Sequence, residues 1–263
     1  MNTLVYDRSF EGLLTIIFEV YERKLNDVVI YREGEANSSL FGDGQIITSQ
    51  PEKAKRVYTK LKERLSAVAC GQFYKAYLSG LTGIENHLLN YVKYILSAKA
   101  AVESNYSQPD VLMIQQTSRK VDREKHRMEA FVRFQLTKDQ LYYAIIQPDF
   151  NVLPLISKHF SDRYADQRWL IYDVRRKYGL YYNLKTVEEV EMNFNIDTTS
   201  STELLSIYDE KEELYQQLWQ QYFSSVNIAA RKNMKLHIQH MPKRYWRYLV
   251  EKMPEQRLTD DSP

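Results

Sequence analysis

The chain has 263 residues, with 36 Lys and Arg against 34 Asp and Glu, a net charge of +2 and 44% hydrophobic residues. That length allows about one or two domains with a substantial core, and the near balance of charge excludes a uniformly basic nucleic-acid coat. Its one cysteine, Cys70, excludes a disulfide within the chain and argues against an iron–sulfur or cysteine zinc site, so no cofactor or metal is expected and a reducing cytoplasm is the natural setting.

The first residues carry no basic region ahead of an apolar run, and the early apolar stretch 13–18 is far below the roughly 20 residues that span a bilayer, so neither export nor membrane insertion is expected. Residues 3–6 read as a short strand. Ser9 then suits the N-cap of a helix over 10–24, with an apolar stripe of Leu13, Leu14, Ile17, Phe18 and Tyr21. Strands are expected at 28–31 and 46–49, separated by a Gly-, Asn- and Ser-rich loop at 33–44 that reads as mobile. Pro51 suits the first turn of a long helix to about residue 69.

Residues 73–99 are helical again, interrupted at Gly80 and Gly83 in YLSGLTGIENHLL. That phrase imperfectly resembles the turn of a helix-hairpin-helix DNA-binding motif, with one residue too many between the glycines; the alternative is an ordinary turn. A polar helix follows at 112–127. Seven Lys or Arg residues lie between Arg119 and Lys138, and they read as a solvated face.

The stretch 128–183 specifies the most structure: strand, strand, helix, strand, strand. Met128, Ala130, Val132, Phe134 and Leu136 alternate with Glu129, Phe131, Arg133 and Gln135, the period of a half-buried strand. Residues 141–146 pair with it as a hairpin closed by Pro148. Asn151 is expected to cap a helix bearing Leu155, Ile156, Phe160 and Tyr164, which ends at Ala165 and Asp166. Residues 169–174 and 178–182 form a second hairpin with Arg175, Arg176 and Lys177 at its tip and Gly179 as a candidate bulge. The fold class is therefore α+β, a central antiparallel sheet surrounded by helices.

Beyond it lie a candidate edge strand at 187–196, a polar linker at 197–202 and an acidic helix at 203–223. Residues 231–252 hold seven Lys or Arg against one acid, Glu251, the most asymmetric charge block in the chain. Pro242 opens a short helix with Tyr245, Trp246 and Leu249 on its apolar face. Residues 1–252 read as one compact unit and 253–263 as a disordered tail.

No GxxxxGK[ST] or GxGxxG stretch supports an NTPase or dinucleotide site. His237 and His240 share a helical spacing, but basic neighbours and the lack of a carboxylate favour phosphate contact or packing over metal. A nuclease reading pairs Asp149 with Asp173 as Mg²⁺ carboxylates, but Arg175 stands where a lysine would assist the attacking water. Phe131, Arg133, Tyr143, Trp169 and Tyr181 suit base stacking and phosphate contact if their sheet face is open, and core if a helix covers it.

Three phrases, VYDRSFEGLLTIIFEVYE, IQPDFNVLPLISKHFSDRYADQRWLIYDVRRKYGLYYN and RKNMKLHIQHMPKRYWRYL, resemble a bacterial family of probable DNA metabolism or repair proteins built on a domain of unknown function. The resemblance implies a radical-SAM-type partner encoded nearby and a uracil-DNA glycosylase-like domain sometimes fused. It also implies Gly after the Asp of YD-x-SFEGLL, where this chain has Arg8.

The expectation is an accessory protein without activity of its own that binds single-stranded or damaged DNA and a radical-SAM-type repair enzyme. Its DNA contacts would be Arg133, Arg168, Arg175, Arg176, Lys177, His240, Lys243, Arg244 and Arg247. The alternatives are a cryptic nuclease or glycosylase-like enzyme centred on Asp149 and Asp173, and a structural protein docking through its acidic helix.

Overall fold

The structure, a computed structural model, describes residues 2–35, 44–138, 140–191, 238, 241–249 and 252. Most of the loop expected at 33–44, the linker at 197–202, the acidic helix at 203–223 and the tail at 253–263 lie outside these residues. The protein is α+β and divides into two compact units, Met1–Arg123 and Glu124–Pro263. Among the described residues no helix is long and apolar enough to cross a membrane.

In the first unit the order is β1 (Asn2–Tyr6), α1 (Phe10–Glu22), β2 (Val28–Arg32), β3 (Gln45–Ile46), α2 (Pro51–Arg64), α3 (Ala67–Leu78) and α4 (Ile84–Ser97), followed by the start of α5 (Pro109–Phe131). The sheet runs β2-β1-β3, and both pairings are parallel. Parallel neighbours need a crossover, which α1 supplies between β1 and β2.

The Ser9 cap forms as expected, its hydroxyl accepting from the Gly12 amide at 2.8 Å. Asp7 adds a second layer: one carboxylate oxygen accepts from the Ser9 amide and hydroxyl at 3.0 and 2.6 Å, the other from the Ser49 hydroxyl at 2.6 Å. A Cβ on Gly12 would lie 2.3 Å from that first Asp7 oxygen, so close approach, not backbone freedom, requires glycine there. Arg8 takes φ +65°, a left-handed conformation that favours Gly. Its carbonyl accepts from the Tyr77 hydroxyl at 2.6 Å and its Nε donates to the Glu33 carbonyl at 2.8 Å, which hold the turn.

The helix expected to run to residue 69 is two helices, because Leu65 is extended and Ser66 starts α3 as an N-cap, accepting from the Ala69 amide at 3.2 Å. Gly80 and Gly83 take φ +61° and +79° in the turn before α4. Glu85, in the first turn of α4, is buried and accepts from Arg32 Nε at 2.6 Å and the Tyr6 hydroxyl at 3.0 Å, so a carboxylate already occupies that helix start.

The second unit contains the end of α5, then β4 (Gln135–Leu136), β5 (Tyr142–Ile146), α6 (Leu153–Arg163), β6 (Trp169–Asp173), β7 (Tyr178–Tyr182), β8 (Val187–Glu191) and a 3-10 helix, Lys243–Tyr248. Strand, strand, helix, strand, strand is the observed order, extended by β8 into a sheet β4-β5-β6-β7-β8. Three of its pairings are antiparallel and β5–β6 is parallel, with α6 as the crossover.

The first strand is shorter than expected, because residues 128–131 finish α5. Val121, Glu124 and Met128 are all buried at helical spacing, and this longer pattern overrides the local alternation. β6 is buried along its whole length, as a continuous apolar run in a central strand should be. Trp169 is therefore core and not a base-stacking platform; its ring lies 5.4 Å from that of Tyr182 and 6.3 Å from that of Phe134.

Gly179 is no bulge: the β6–β7 register is unbroken, and a Cβ there would meet the Ile171 carbonyl at 2.8 Å. Val152, not Asn151, is the N-cap of α6, and the Asn151 side chain instead accepts from the Tyr178 hydroxyl at 2.6 Å.

Candidate nucleic-acid interface

The candidate site lies in the second unit, where the loop at Pro148 and Asp149 meets the β6–β7 turn and the 3-10 helix. Asp173 ends β6 and is fully buried. One of its carboxylate oxygens accepts from the Arg175 and Arg176 amides at 2.9 and 3.3 Å, and the other from Arg176 Nη1 at 2.7 Å. Lys177 closes the turn at φ +59°, its amide donating to the Asp173 carbonyl at 2.8 Å. An aspartate that accepts from amides two and three residues on is a common builder of turns, and here it fixes the basic tip.

The arginine forks tie this tip to the neighbouring loop. Arg176 donates through Nη1 to the Pro148 carbonyl at 3.1 Å and through Nη2 to the Asp149 carbonyl at 2.8 Å, and Arg175 adds a bond to the latter at 3.3 Å. From the C-terminal block, Arg244 Nη2 lies 2.8 Å from a carboxylate oxygen of Asp149 and 3.4 Å from one of Glu124. Blocks about 70 residues apart in sequence thus converge on one loop residue, Asp149.

Glu124 organises the arrangement from below. It is 1% exposed and accepts from the Tyr245 hydroxyl, from the Asp149 amide at 2.8 Å and from Arg127 Nη1 at 3.5 Å. Burial pushes the Tyr245 hydroxyl above the ordinary tyrosine range, and its bond to Glu124 adds to the effect. Burial works against the charge on Arg244, but Tyr245, Asp149 and Glu124 outweigh it and strengthen that guanidinium's hold on its proton. Sequence reasoning misses Glu124; the usable signal is a lone acid at the buried spacing of Val121 and Met128.

Four cations are left facing solvent. Arg175, Lys177, Lys243 and Arg247 are exposed, and among the described residues none has a carboxylate partner. Lys243 and Lys252 lie 5.9 and 5.3 Å from the half-buried Trp246 ring, and Arg247 lies 4.7 Å from the Tyr248 ring. Tyr245 is core, as is Leu249.

Two other expected contacts sit elsewhere. Arg133 Nη1 donates to the Ala130 and Val132 carbonyls at 2.8 and 3.2 Å, finishing α5. Arg168 is exposed but precedes β6, so that five-residue strand, roughly 15 Å long, separates it from the tip. His240 lies outside the described residues.

The arrangement offers fixed, forked cations on a rigid turn, suited to an anionic surface. Asp173 is enclosed by donors of its own turn, and the half-exposed Asp149 carboxylate is paired with Arg244 at 2.8 Å. Among the described residues no cluster of His, Cys, Asp and Glu could hold a metal ion.

The chain belongs to the family built on the domain of unknown function DUF4130, whose model matches residues 82–251. No curated protein matches its sequence. Among solved structures, a pGpG-specific phosphodiesterase, PggH from Vibrio cholerae, aligns over 86% of this chain and 99% of its own, at a TM-score of 0.35 and 10% identity, too distant to transfer fold or chemistry.

Proposed function

We propose that the protein is a DNA-binding accessory in DNA repair or metabolism, holding the phosphate backbone on the second unit's basic surface while a separate enzyme of radical-SAM type performs the chemistry. The observation that carries this reading is the convergence of the 175–177 turn and the 243–247 helix on Asp149, with Arg175, Lys177, Lys243 and Arg247 exposed and without carboxylate partners among the described residues. Each block alone is ordinary surface charge. Together they make a patch of six basic side chains in which Arg175, Arg176 and Arg244 bond the loop and Lys177, Lys243 and Arg247 face outward beside the exposed Arg175. The motif resemblance to probable DNA repair proteins supports the biological setting and the partner class.

Fluorescence anisotropy of labelled single-stranded and duplex DNA, titrated against salt, tests the reading. Binding should fall with salt on a log–log slope of about 0.7 to 0.9 per phosphate contact. Arg175→Ala with Lys177→Ala, and separately Lys243→Ala with Arg247→Ala, should each reduce the slope without loss of fold. Absence of wild-type binding at low salt would overturn the proposal, leaving protein docking as the account of these charges.

A further inference from the structure

Three basic residues of α5 lie close together near the end of the first unit. Helix positions 111, 114, 115, 117, 118 and 121 are buried, while Leu112, Met113, Gln116, Arg119, Lys120 and Arg123 form the opposite, exposed face. Elsewhere this helix compensates its charges. Asp122 is 2.6 Å from Lys75, Lys125 is 2.7 Å from Glu129, and Arg127 is 3.5 Å from Glu124. Arg119, Lys120 and Arg123 have no carboxylate partner among the described residues. Arg119 and Arg123 are spaced i,i+4 and Lys120 and Arg123 i,i+3, so each pair of like charges weakens the helix that carries it. A cluster that weakens its own helix, on a helix otherwise paired, points to an external anion.

We infer that Arg119, Lys120 and Arg123 form a second contact for the phosphodiester backbone of nucleic acid, separate from the 175–177 and 243–247 blocks. Four residues of helix rise about 6 Å, which spaces Arg119 and Arg123 as two discrete anion contacts along one ridge, and each guanidinium fork can take a phosphate through two bonds. Leu112 and Met113 are exposed one turn earlier on the same face, so an acidic protein partner is the competing occupant that the test must separate from nucleic acid. The inference rests on the reading that the protein binds DNA and assigns it a contact outside the surface already described.

The test is the triple variant Arg119→Gln, Lys120→Gln and Arg123→Gln in the full chain, measured by anisotropy on single-stranded and duplex DNA across a salt series. The salt slope should fall by about 2 on single-stranded and nearly 3 on duplex DNA if all three residues meet phosphates. Helical content should be unchanged and the melting temperature unchanged or raised, since only repulsion is removed. An unchanged slope in the triple variant, with the slope still reduced by Arg175→Ala and Lys177→Ala, would overturn this inference and leave the DNA-binding reading standing. Wild-type protein that binds no DNA would remove both. A triple variant with normal DNA binding that no longer captures an acidic polypeptide bound by the wild type would likewise overturn it and assign the ridge to protein.

Discussion

The hydroxyl of Tyr245 donates to the carboxylate of Glu124, joining residues 121 positions apart and fastening the 3-10 helix to the end of α5 within the second unit. Removing a buried carboxylate that several donors share strands each of them, to be resolvated or left unsatisfied. Tyr245→Phe should lower unfolding stability by about 1–2 kcal/mol, and Glu124→Ala by about 3 kcal/mol because it strands the buried Tyr245 hydroxyl and the Asp149 amide together and removes an ion-pair partner of Arg127. Urea unfolding followed by tryptophan fluorescence measures both.

Asp173 and Asp149 should separate sharply. Asp173 is fully buried and holds three donors of its turn, so Asp173→Ala is expected to lose about 3 kcal/mol. The Asp149 side chain is 46% exposed, and its ion pair with Arg244 is worth at most about 1 kcal/mol. No Mg²⁺-dependent cleavage of DNA is expected from the wild type. Cleavage that disappears in a folded Asp149→Ala protein would instead favour an enzyme.

Arg8 provides a test of backbone strain. With φ at +65°, a side chain costs about 1 kcal/mol relative to glycine, offset in part by the Nε bond to Glu33. Arg8→Gly should therefore change stability by less than about 1 kcal/mol, while the β-branched Arg8→Val should destabilise by about 2 kcal/mol. Thermal melts of the two variants side by side decide it.

Burial raises the hydroxyl pKa of Tyr6, Tyr77, Tyr91, Tyr178 and Tyr245 well above the ordinary tyrosine value. A raised folded-state pKa means that the native state holds the proton more tightly than the unfolded chain. The resulting stability is complete below about pH 10, where unfolded tyrosines begin to ionise, and is lost as pH rises further. Absorbance at the tyrosinate band should show a fraction of the 21 tyrosines titrating only together with alkaline unfolding. Smooth ionisation of all of them with native circular dichroism retained would contradict the burial.

What can be read from the sequence depends on the range of the forces involved. Ser9 as a cap and the 169–182 hairpin depend on neighbours within a few residues, and both are visible as local patterns. The end of α5 is not, because Glu129 to Phe131 alternate like a strand while the deciding pattern begins at Val121. Trp169 is ambiguous for a related reason: nothing near it in sequence says that Phe134, Phe160 and Tyr182 cover its ring. At the site, the basic blocks stand out as composition, but their common attachment to Asp149 and the buried Glu124 beneath them are long-range relations without a local signature.

The position of β1 bears on how the first unit is made. The central strand of its parallel sheet is built from Asn2–Tyr6, and both flanking strands lie later in the chain. During synthesis, β1 must wait unpaired until residues 28–32 and 45–46 have emerged, leaving both of its hydrogen-bonding edges open in the meantime. Removing these few residues would therefore not trim an edge but split the sheet, and β2 and β3 would be left with no neighbour in common.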